Sequence, residues 1–84
     1  MTRYTDHAEK RMLERGMSKS EVEETLEHPL QVRDSKHGRR AAVRSRPDGG
    51  FTVVVFEENP EGLIVVTAMK TNSDGAKRYG FTGI

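Results

Sequence analysis

The 84-residue sequence contains no cysteine. A disulfide framework, a thiolate metal site and a cysteine nucleophile are therefore excluded. Its three histidines, His7, His28 and His37, fall in three separate segments and lack the short His/His or His/Glu spacings of a metal cluster, so neither a metal nor a cofactor is expected. Glycine-rich phosphate loops, a serine nucleophile elbow and a paired-carboxylate site are also missing, which removes kinase, serine hydrolase and glycosidase chemistry. Long apolar runs are missing too. The longest, Phe51–Phe56 and Leu63–Val66, are of strand length, and the N-terminus opens on charged residues instead of a signal-peptide core; a cytoplasmic protein without a membrane partner is the expectation.

What is present is a chain with 33% hydrophobic and 32% charged residues, suited to one small domain stabilised by core packing and, in some cases, by self-association. Net charge is only +1, but it is unevenly spread. Residues 29 to 50 carry six Lys/Arg against two Asp/Glu, concentrated at Arg33, Lys36, Arg39, Arg40, Arg44 and Arg46. Such a surplus suits an anionic partner such as nucleic acid.

Asp6 with Glu9, and Gly16 behind them, predict a first helix from about His7 to Arg15; Ser18 with Glu21, and Pro29 behind them, predict a second from about Lys19 to Glu27. After Pro29 the period becomes alternating. Leu30–Arg33, Arg39–Arg46, Phe51–Phe56 and Leu63–Met69 read as strands, with turns at His37-Gly38, "PDGG" and "NPEG". Alternation puts Arg40, Arg44 and Arg46 on one face of the second strand. The expected fold is α+β: two N-terminal helices packed on a four-stranded antiparallel meander in two layers. The domain is expected to span residues 1–71, and residues 72–84 form a polar, glycine-rich tail that either stays mobile or folds back through Tyr79, Phe81 and Ile84.

On a helical wheel His7, Arg11 and Arg15 lie at about 0°, 40° and 80°, bordering the apolar arc of Ala8 and Met12. Histidine exchanges a proton near neutral pH, and arginine offers a planar fork of donors to phosphate oxygens. A 2′-hydroxyl deprotonated by His7 could attack the neighbouring phosphorus while Arg11 and Arg15 hold the phosphate, which is RNA cleavage without a metal. Arg40, Arg44 and Lys70 would add supporting charge, and Tyr79 beside Lys77 and Arg78 could stack on a base. The competing structural account has the arginines paired with acids of the same helix or protecting a sheet edge, and Tyr79 a packing or loose tail residue in preference to a stacking platform.

The run "HAEKRMLERGMSKSEVEETLEHP", followed by "GRRAAV", "FTVVVFEE" and "LIVVTAMK", resembles an uncharacterised family of small prokaryotic domains over residues 4 to about 71. Its pattern is H-A-x-x-R-M-x-x-R-G, a Ser/Glu-Val box, a Pro and a final V-V-T-A strand. That family is grouped with toxin ribonucleases of the RelE, ParE and BrnT type. The resemblance implies a RelE/BrnT-like fold and an RNA target, met free or on the ribosome. It matches His7, Arg11 and Arg15 to the family's helix positions, Thr67 to its last strand and Arg40 to its second. Relatives of the ParE type act on gyrase instead, so fold alone does not fix the activity. The expected function is therefore RNA binding or metal-independent RNA cleavage, with catalytic residues His7, Arg11 and Arg15 and substrate-binding residues Arg40, Arg44, Thr67 and Lys70. The alternative is a non-catalytic module that engages a protein: an antitoxin, or a second copy through the apolar tail residues.

Overall fold

Two sharply capped helices set the N-terminal half of the chain. In the computed structural model, which describes residues 1–84, α1 spans Asp6–Glu14 and α2 spans Lys19–Glu27. The cap of α1 is Thr5, not Asp6: its side chain accepts from the Ala8 N–H at 3.0 Å, while Asp6 and Glu9 sit in the first turn and complement the helix dipole. Gly16 leaves α1 at φ +64°, as its position after the last turn predicts. Ser18 caps α2 by accepting from Glu21 N–H at 3.1 Å, and Pro29 follows its end.

The sheet corrects the four-stranded antiparallel expectation. Five strands, β1 (Thr2–Tyr4), β2 (Gln31–Asp34), β3 (Arg40–Ser45), β4 (Phe51–Asn59) and β5 (Gly62–Thr71), form a mixed sheet in the order β1-β5-β4-β3-β2. The last four make the predicted meander. The addition is β1, which pairs in parallel with Leu63–Val65 of β5. Three residues are too few to show a period, so β1 is set by what it meets: a ten-residue β5 whose outer edge would otherwise lie open.

Ala8, Met12, Met17 and Val22 of the helical layer pack on Val54, Val65 and Ala68. The opposite face is not bare. A third helix, α3 (Ser73–Lys77), and the residues after it fold back, placing Ala76 and Phe81 on Ala41, Val43, Val53 and Val55. Gln31 clasps the returning chain through both backbone groups of Thr82. The polar, glycine-rich segment thus forms a partial third layer, because Ala76, Tyr79, Phe81 and Ile84 are spaced to reach the sheet.

One irregularity decides where side chains point. Val55 stands opposite Thr67 but Phe56 stands opposite Val65, so Val66 is an extra residue in β5. Strict alternation from Val65 would bring Thr67 to the helical face. The bulge instead keeps Val65 and Ala68 on that face and turns Thr67 to the other, beside Val55 of the second cluster.

Tyr4 packs under the helices with its hydroxyl buried and unpartnered, and the Lys19 ammonium lies 4.8 Å from its ring centroid. Burial first, then the Glu23 carboxylate, raise its pKa above the ordinary 10.0. The folded state therefore holds this proton more tightly than the unfolded chain, and stability present below pH 10 is lost as pH rises through the folded pKa. Tyr4→Phe is expected to leave stability unchanged or raise it by up to about 1 kcal/mol at neutral pH and to flatten the alkaline loss. Urea titrations of both proteins at neutral pH and above pH 10 check this; equal alkaline slopes would exclude Tyr4 as the source.

Candidate nucleic-acid interface

The basic stripe of α1 is present, but its members are occupied to different degrees. His7 is exposed in the first turn. Arg11 binds Glu14 one turn away, Nη1 to Oε1 at 3.0 Å. Arg15 donates from Nη1 to the Ala68 carbonyl at 2.6 Å and has no carboxylate partner. His7 and Arg15 are separated by about 12 Å along the helix axis, at the limit for sharing one phosphate. Arg15 also has structural work to do. Past Val65 no strand covers the outer edge of β5, and there the Val66 and Ala68 carbonyls accept from Thr5 Oγ1 at 3.3 Å and from Arg15. A strand added at this edge would have to displace both.

The arginines of and after β3 share one face, as alternation predicted; that face is the one under the helical layer, and they are neutralised there. Arg40 meets Glu58 at 3.0 Å and Asp34 at 3.6 Å. Arg44 meets Glu24 at 3.4 Å and donates to the His28 carbonyl at 2.7 Å. Arg46 binds Glu21 of α2, Thr52 at 3.0 Å and Asp48 at 3.5 Å. The Gly50 N–H, and after it Arg46, hold the Asp48 carboxyl below the ordinary carboxylate range. These contacts tie α2 to the sheet around a polar notch of about 520 Å³ whose walls satisfy one another. Lys70 shares a cross-strand row with Arg44 and Thr52 but is exposed and has no carboxylate partner. No three His, Asp or Glu side chains converge on a point that could hold a metal.

Of the fourteen lysines and arginines, seven contact a carboxylate within 4.0 Å. Among those that do not, Lys36 and Arg78 flank a groove of about 690 Å³ on the face without α1 and α2, whose one acid, Asp34, lies 3.6 Å from Arg40. Met69 and Tyr79 supply its apolar lining, with the Tyr79 hydroxyl donating to the Met69 sulfur at 3.1 Å. Ser35 and Thr71 bring hydroxyls to its walls. Lys36 is carried by a single 3₁₀ turn, Lys36–Gly38, in which His37 takes φ +61°, a left-handed conformation that histidine tolerates better than most residues. On the other wall, a Cβ at Gly75 would lie 1.7 Å from Thr71 Oγ1, so glycine is what lets α3 approach β5.

The residues expected to act together are therefore divided by the sheet. His7, Arg11, Arg15, Arg40, Arg44 and Lys70 belong to the helical side, while Thr67 lies on the face of the groove. Tyr79 packs against the second core cluster and donates to Met69, the packing role that the sequence allowed beside stacking. What the sequence did not show was Lys36 facing Arg78 and Tyr79, because the β2–β3 turn and α3 are about forty residues apart.

These features define a small α+β domain: a mixed five-stranded sheet, two helices on one face and a basic groove on the other. The chain belongs to the DUF4258 family, a domain of unknown function, whose model matches residues 4–70. No curated protein and no solved structure matches it significantly. Thr71, Gly75, Arg78 and Tyr79 of the groove lie beyond the matched residues. No helix is long and apolar enough to cross a membrane.

Proposed function

We propose that this domain binds single-stranded RNA in the cytoplasm, through the groove between the Lys36 turn and α3. The observation that carries the proposal is the pairing of two cations without carboxylate partners, Lys36 and Arg78, with the aromatic surface of Tyr79. Phosphates held one by each cation leave a base to stack on the ring, a combination that suits unpaired nucleic acid of any sequence. The resemblance to a domain family grouped with toxin ribonucleases favours RNA over other anions.

Metal-independent cleavage is the second reading. An exposed His7, one turn from Arg11 on the same helix, supports it. It would proceed on the helical side: the His7 imidazole takes the 2′-hydroxyl proton, that oxygen bonds the adjacent phosphorus as the bond from phosphorus to the 5′-oxygen breaks, and the departing 5′-oxygen takes a proton from water, leaving a 2′,3′-cyclic phosphate, with Arg11 and Arg15 opposing the charge that develops on the phosphate.

Both are tested on a labelled unstructured RNA in EDTA, with and without ribosomes. Lys36→Ala combined with Arg78→Ala is expected to weaken binding about tenfold or more and to reduce the slope of log K against log salt by about 1.4, or 0.7 for each lost phosphate contact. An unchanged slope would remove the groove from consideration. Cleavage that His7→Ala and Arg11→Ala both abolish would establish the second reading. If RNA stays unbound and intact in every lane, the target is a protein such as an antitoxin, or a second copy of the chain.

A further inference from the structure

Seven cations have no carboxylate partner: Lys10, Arg15, Arg33, Lys36, Lys70, Lys77 and Arg78. Of these, Lys36 and Arg78 line the groove, Arg15 and Lys70 lie on the helical side, and the C-terminal end of β5 lies between the two pairs. The ion-paired arginines Arg40, Arg44 and Arg46 sit on β3 or directly after it, Arg44 and Arg46 bound to α2 and Arg40 to acids of the neighbouring strands.

Thr71 joins the two sides. It lines the groove on one face and also a shallow hollow of about 510 Å³ at the sheet end, together with Lys70, Asn72 and Gly50. The pleat turns Lys70 to the helical face, opposite Thr52, and Thr71 to the groove face, opposite Phe51. Lys70 follows Ala68 by two residues on that face, about 7 Å along the strand, and the Ala68 carbonyl is where Arg15 is anchored. The one acid in the hollow, Asp48, is already engaged by the Gly50 N–H and Arg46.

Resting on the RNA reading of the groove, we infer that a single strand does not end there but passes over Thr71 and Asn72, around the end of β5, onto Lys70 and Arg15. Its ligand class is then an extended single-stranded RNA that contacts both faces of the sheet, not a short oligonucleotide or a mononucleotide. A duplex is too stiff to turn over an edge in a body whose shortest extent is 20 Å.

The test compares oligouridylates of about three nucleotides, below the site sizes known for single-strand binders, and of about twelve, within them. Lys70 is exposed and without an ion pair, so Lys70→Glu leaves the fold intact. It is expected to weaken the long probe about tenfold and the short probe by less than twofold, and to lower the salt slope for the long probe alone. Arg15→Lys, which keeps the charge but loses the fork on Ala68, is expected to act in the same direction more weakly. Lys36→Ala with Arg78→Ala should weaken both probes. If Lys70→Glu affects neither probe, or both equally, the path around β5 is overturned while the groove stands. If the Lys36/Arg78 pair affects neither probe while Lys70→Glu weakens the long one, the groove reading fails, and with it the inference that depends on it.

Discussion

Phe81→Ala is expected to cost about 3 to 4 kcal/mol, a drop of roughly 12 to 32 °C in Tm for a domain of this size. Phe81 is 2% exposed and is one of only 17 buried residues, so its ring is a large share of a small core. It lies with Ala76 over Ala41, Val43, Val53 and Val55, a strip of sheet with no other helix on it. Truncation of the ring opens a cavity and also weakens the return of the chain that carries Arg78 and Tyr79. Thermal and urea unfolding measure the loss, and RNA binding should fall with it because one wall of the groove depends on that return. A loss below about 1 kcal/mol would mean that residues 72–84 cover the sheet without being part of the cooperative unit.

Arg46→Ala is expected to cost about 2 to 3 kcal/mol. Its side chain is 17% exposed and Glu21 is 27% exposed, so the pair is largely withdrawn from water. Removal of the guanidinium strands the Glu21 carboxylate and takes a hydrogen bond from Thr52, itself 2% exposed. Breaking a fully buried pair costs about 3 to 5 kcal/mol, and the residual exposure here lowers that figure. Arg40→Ala provides the contrast: its pair with Glu58 is 43% and 52% exposed, and the expected loss is under about 1 kcal/mol. A double-mutant cycle of Arg46→Ala with Glu21→Gln separates their coupling from other effects. A coupling near zero would show that α2 is held by its apolar contacts alone.

The contrast between these arginines marks where sequence reading stopped. Arg40, Arg44 and Arg46 were correctly placed on one face by alternation, but alternation is silent about what stands over that face. Glu21 and Glu24 arrive there because α2 crosses β3, which turns an apparent phosphate-binding row into a set of internal ion pairs. The stripe on α1 was legible because 3.6 residues per turn fixes His7, Arg11 and Arg15 on one side of any helix. That Arg15 would be anchored on an open strand edge was not.

Capping chemistry and hydrophobic period determined the place of α2, the end of α1 at Gly16 and the β2-to-β5 meander, since these depend on neighbours within a few positions. Cysteine and histidine usage by itself removed thiol chemistry and the usual metal-cluster spacings. Tertiary structure alone decided the rest: the pairing of Thr2–Tyr4 with β5, the bulge at Val66 that turns Thr67 away from α1, the return of Phe81 to the sheet, and the meeting of Lys36 with Arg78 and Tyr79. Each of these joins segments far apart in the chain. Their energy comes from apolar area buried and backbone groups satisfied between elements, quantities that no local window of sequence contains.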